Sequence, residues 1–189
     1  MNAIHLPPIG NTESGIVREL IYPLQKIFHA DVVLVQADVP MQAFYDVQRG
    51  QYDSTSLILH LRGMYAAHST HGITYLAVTA EDLFIPILTY VFGEAELGGG
   101  VAVASYYRLQ NERYGLPPNR PLLVRRLIKE AAHELGHAIG LVHCSSQSCV
   151  MHSSTNVEEI DLKGEKFCID CTRLVEQKGF VFSKNTSAR

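Results

Sequence analysis

The run His133-Glu134-Leu135-Gly136-His137 sets two imidazoles four residues apart, which on a helix puts them on one face about 6 Å apart along the axis. Two neutral imidazoles so placed can share one ion, and zinc takes such nitrogens at about 2.0–2.1 Å. A catalytic zinc keeps three protein ligands and an open position, so a third ligand is needed. His143 supplies it if the chain turns back after the helix, and Gly140, between His137 and His143, can take the left-handed conformation that such a turn requires. Glu134 stands beside the first ligand. It is placed to take a proton from a water that the metal acidifies to a pKa of about 7, and to return that proton to a leaving amine. With nine histidines in 189 residues, an H-E-x-x-H pattern is expected by chance about 0.03 times, and the added Gly and third His lower that to roughly 0.0001.

A second ligand set follows at once. Cys144-x4-Cys149 and Cys168-x2-Cys171 form two knuckles. Four thiolates suit a closed tetrahedral zinc with no open position, and so a structural one. In a segment of fewer than about 50 residues such an ion replaces a missing core and ties the chain after His143 to a last helix. The weaker readings are two disulfides, four free thiols, or a zinc ribbon on nucleic acid. Glu158, Glu159, Asp161, Glu165, Asp170 and Glu176 in that segment oppose phosphate contact.

The elements that must position these ligands are readable in part. Leu123, Leu127, Ile128, Ala131, Leu135 and Ile139 give an apolar face to a helix over Pro121 to Leu141, with proline tolerated in its first turn. Helical spacing also marks Thr12 to His29, kinked at Pro23, and a last helix near Ile169 to Lys178. Apolar runs predict buried strands at Ala30 to Val39, Leu57 to Leu61 and Ile73 to Thr79, with two more at Leu88 to Phe92 and Val101 to Ser105. Met41 to Arg49 reads as a short connecting helix and Gly98-Gly99-Gly100 as a turn. His68 and His71 read as a surface loop, and His60 as a hydrogen-bonded histidine in a strand. His152 could line the cleft, but nothing in the sequence fixes its direction.

Composition narrows the partners. Hydrophobic residues at 47% and charged residues at 19% belong to an ordinary folded domain. The net charge of −3 without a Lys/Arg run argues against nucleic acid or an anionic membrane as partner. Met1 to Gly10 has no basic cluster ahead of an apolar core, and no apolar stretch reaches the roughly 20 residues that span a bilayer, so a cytoplasmic protein is expected. A monomer is the expected assembly.

His133-Glu134-x-x-His137-x-x-Gly140-x-x-His143 resembles the metzincin zinc-binding signature, with Met151 where those enzymes carry the methionine of a turn beneath the metal. Cys144 directly after the third histidine, then Cys149, Met151, Cys168 and Cys171, resembles one branch, the archaemetzincins. The resemblance implies an α/β metzincin-like fold: a twisted mixed sheet, a backing helix, an active-site helix and a small zinc-tied C-terminal subdomain. We expect the division at residues 1–143 and 144–189. It further implies peptidase or aminopeptidase activity on a peptide or protein substrate, two zinc ions, and a cleft roofed by an edge strand, expected at Leu88 to Glu94. A tyrosine supporting the transition state would come from Tyr106, Tyr107 or Tyr114. From a different class, a non-catalytic zinc protein binding peptides in the same cleft would have no need of Glu134.

Overall fold

A computed structural model of the chain describes residues 2–66 and 72–180. In chain order its elements are β1 (Ala3–Leu6), β2 (Pro8–Ile9), α1 (Ser14–Phe28), β3 (Asp31–Leu34), β4 (Tyr45–Asp46), β5 (Gln51–Asp53) and α2 (Ser54–Ala66). There follow β6 (Ile73–Thr79), β7 (Leu83–Phe84), β8 (Gly93–Ala95), β9 (Val101–Ser105), α3 (Arg120–Ala138), α4 (Val157–Leu162) and α5 (Ile169–Gln177). The main sheet has the order β3-β1-β6-β9-β8, with β2 also on β6. Within this sheet all pairings are parallel except β8 on β9, so β8 is an antiparallel edge.

β6 and β9 are apolar without alternation because both faces are covered. Leu76, Val78, Ala102 and Ala104 pack with α1 and α3, whereas Ala77, Val101 and Val103 pack with Leu57, Ile58 and Leu61 of α2. The three layers clamp the sheet between helices, and α3 lies directly beneath β8 and β9. Val150, Met151, Ile160, Cys171 and Val175 complete the α1/α3 side.

Three sequence expectations fail here. Leu57 to Leu61 lies in α2, because the buried residues Leu57, Ile58 and Leu61 follow a helical stripe while Leu59 is exposed. The start signal is Asp53, whose carboxylate accepts the backbone N–H groups of Thr55 (3.0 Å) and Ser56 (3.2 Å). Leu88 to Phe92 is not a strand either. The carbonyls of Leu88, Pro86 and Thr89 are taken by side chains, two by Arg49 and one by Gln51, and Val91 N–H is spent on Leu83 O at 2.9 Å. Met41 to Arg49 holds only a short 3-10 turn, Met41–Phe44, before β4.

The active-site helix begins where expected. Asn119 Oδ1 accepts Leu122 N–H at 3.1 Å, and proline stands in the first turn. It ends at Gly140, whose φ of 96° lets Leu141 N–H reach back to Gly136 O at 2.9 Å.

Candidate active site

Helix α3 and its exit bring His133, His137 and His143 together, with their possible ligand atoms all within 4.8 Å of one another. His133 and His137 are each fixed through Nδ1, which donates to Val150 O at 2.9 Å and to Leu141 O at 2.8 Å. That leaves both Nε2 atoms as lone pairs, and these face each other at 3.1 Å. Burial comes first in pushing all three imidazoles below their usual pKa, towards the neutral form that binds metals. Two lone pairs so close repel unless a cation lies between them, and nitrogens at about 2.0–2.1 Å from one tetrahedral ion stand roughly 3.4 Å apart. The donor set therefore fits zinc, and the carbonyls on Nδ1 are the orienting partners that metal-binding histidines require.

Glu134 is buried at 6% exposure, and its side chain lies against β8. A Cβ on Gly93 would come within 2.6 Å of Glu134 Cγ, so glycine at that position is what admits the carboxylate. Burial raises the Glu134 carboxyl well above the usual range, with Glu130 and Glu94 acting in the same direction and Lys163 against it. Met151 is fully buried, and a Cβ on Gly136 would strike its Sδ. The glycine inside the histidine motif is thus a packing requirement, which spacing alone does not disclose.

The cleft above these residues encloses about 450 Å³. Its roof runs from Leu88 to Ala95, its floor carries Glu130, Glu134 and the three histidines, and its far wall is Ser153 to Thr155. Phe92 O accepts from Ser105 N–H and Glu96 N–H donates to Val101 O. By strand alternation the backbone groups of Gly93 and Ala95 therefore face away from β9, along the free edge.

None of Tyr106, Tyr107 and Tyr114 is among the lining residues; the tyrosine of the cleft is Tyr90. His152 Nδ1 donates to Cys144 O at 3.1 Å beside the site rather than lining it. His60 lies in α2 with its ring 5.3 Å from Phe44, and His68 and His71 fall outside the described residues.

Cys144, Cys149, Cys168 and Cys171 form the second cluster, all of them free thiols. Cys144 Sγ and Cys168 Sγ are 3.7 Å apart. A disulfide needs about 2.05 Å, whereas sulfurs at about 2.3 Å from one tetrahedral zinc stand roughly 3.8 Å apart. Backbone N–H groups already point at the sulfurs, from Ser146 to Cys144 and from Cys168 to Cys149. The N–H of Cys171 leads in holding Cys168 down to about 7. The clusters share one segment: Cys144 follows His143, Cys144 N–H donates to Met151 O, and Val150, next to Cys149, carries the carbonyl that orients His133.

A mixed sheet with an antiparallel edge, roofing a helix that presents this histidine triad above a buried methionine, defines a zinc metallopeptidase of metzincin-like fold. Comparison with known proteins makes the assignment specific. The model for "Peptidase family M54" matches residues 16–177, and the chain belongs to that family. The archaemetzincin of Methanocaldococcus jannaschii is 37% identical over 180 residues, covering 95% of this chain and 96% of its own. The crystal structure of a zinc-dependent peptidase from Methanocorpusculum labreanum superposes with a TM-score of 0.81 at 32% identity, covering 91% of this chain and 99% of that one. Archaemetzincin from Archaeoglobus fulgidus, solved with malonate, gives a TM-score of 0.74 at 36% identity over 90% of this chain and 98% of that one.

Proposed function

We propose that this metallopeptidase cuts peptide bonds at a zinc ion held by His133, His137 and His143, with Glu134 as general base, while a second zinc held by Cys144, Cys149, Cys168 and Cys171 is structural. The observation carrying the proposal is the pair of lone-pair nitrogens at 3.1 Å, each oriented by a backbone carbonyl, with Glu134 buried beside them under the free edge of β8. Zinc bound there supplies Lewis acidity, acidifying a water to a pKa of about 7 and polarising the scissile carbonyl. Glu134 takes the proton of the attacking water on its carboxylate. It then holds that proton out of bulk solvent and hands it to the departing amine. Gly93 and Ala95 bind an extended substrate, running antiparallel to β8, through their outward N–H and C=O groups.

The catalytic part is residues 1–143, and residues 144–189 form the zinc-tied part that supplies the methionine floor and the far wall of the cleft. Four free thiols gathered at one point accord with a reducing, cytoplasmic setting. No described helix is long and apolar enough to cross a membrane. The partner is a peptide or protein substrate, met by a monomer.

A peptide mixture incubated with zinc-loaded protein should yield defined cut sites by mass spectrometry. In the same assay Ala95→Pro should lower kcat/KM by a few-fold to tenfold, as one edge hydrogen bond of about 0.5–1.5 kcal/mol is lost. Proline is tolerated at an edge, so zinc content and circular dichroism should not change. Unchanged cleavage by a folded Ala95→Pro variant would remove β8 as the substrate rim.

A further inference from the structure

The roof and the far wall of the cleft are joined by one hydrogen bond. Tyr90 Oη donates to Thr155 O at 2.9 Å, and both residues line the cleft. Neither partner is a loose side chain. The guanidinium of Arg108 lies 4.2 Å from the centre of the Tyr90 ring and is itself doubly bonded to Asp82 at 2.7 and 2.6 Å. Phe92 meets the ring edge-on at 5.5 Å. Thr155 is held in turn by Glu159, which accepts its N–H at 2.6 Å and its hydroxyl at 3.1 Å. A hydrogen bond braced at both ends is a wall more than a fluctuation.

We propose that the Tyr90–Thr155 hydrogen bond closes one end of the cleft and limits how many substrate residues fit beyond the cut bond on that side. The inference rests on the peptide-cleft reading above. Tyr90 precedes the start of β8. A substrate antiparallel to β8 therefore sends its C-terminal portion towards Tyr90, and the enzyme favours peptides that end soon after the cut. A longer tail has to break the clasp, and the loss of that contact opposes its binding.

The test is a dye-labelled peptide series with a fixed segment before the cut and one to six residues after it. Its binding is followed by fluorescence anisotropy on zinc-loaded protein carrying Glu134→Gln, with and without Tyr90→Phe. Cleavage of the same series is followed with Glu134 intact. Phenylalanine keeps the Arg108 and Phe92 contacts and removes only the donor. Binding should weaken with tail length when Tyr90 is present, and Tyr90→Phe should recover a few-fold to tenfold of the loss for the longest tails relative to the shortest. The ratio of kcat/KM between long and short peptides should move in parallel. Equal length dependence with Tyr90 and with Tyr90→Phe would overturn the clasp. If no peptide is cut while the length dependence of binding still shifts, hydrolysis is the part that fails and the clasp stands. If no peptide binds at all, both fall.

Discussion

Glu134→Gln is expected to lower kcat/KM for peptide cleavage by roughly 10²–10⁴-fold, the contribution typical of a positioned general base. Glutamine has nearly the same shape, so the contact under Gly93 survives. Zinc content should also survive, because the triad does not use this carboxylate. Peptide affinity should remain near that of the parent, which separates loss of chemistry from loss of binding. Cleavage by Glu134→Gln near the parental rate would make the buried carboxylate a structural group. The same cleft would then have to be read as a peptide-binding surface without this base.

A second large effect is expected on stability, at a buried ion pair next to the site. Lys163 and Glu130 are an ion pair at 2.8 Å with side chains 1% and 4% exposed, and Glu130 lies one turn before Glu134 on the cleft floor. The contact is charge on charge, since Glu130 Oε1 lacks hydrogen-bond geometry to any partner among the described residues. Lys163 also reaches His152 O at 3.4 Å. Lys163→Met strands a buried carboxylate and should cost about 3–5 kcal/mol, a fall in Tm of roughly 6–20 °C for a chain of this length. Adding Glu130→Gln removes the stranded charge and should restore much of that loss, the non-additivity expected of touching residues. Denaturant unfolding of the two variants decides it. A Lys163→Met protein within about 1 kcal/mol of the parent would show that the pair contributes little.

What could be read from the sequence follows how local each signal is. The two candidate ligand sets and Gly140 are legible because metal binding demands particular residue types at close spacing, and the structure gathers all seven candidate residues as two clusters. Helix α3 and strands β6 and β9 are legible because their patterns are long or uninterrupted. Leu57 to Leu61 misleads because a short apolar run does not distinguish a buried strand from a helix stripe, although Asp53 ahead of it was an available cap signal. The edge strand expected at Leu88 to Glu94 is Gly93–Ala95, and the segment before it is shaped by Arg49 and Gln51 about 40 positions upstream. Long-range side-chain contacts of that kind leave no local trace. The same holds for Lys163 with Glu130, and for the two glycines, Gly93 and Gly136, that make room for Glu134 and Met151.

Zinc content and peptide cleavage, followed together in one sample during mild chelation, test the account most directly. An open three-ligand site exchanges its ion faster than a closed thiolate site. The prediction is two zinc ions per chain at the start, then loss of one with parallel loss of cleavage and an unchanged circular dichroism spectrum, and recovery of cleavage when one equivalent of zinc is returned. A single zinc in the fully loaded protein, or cleavage that persists after the first ion has gone, would contradict it.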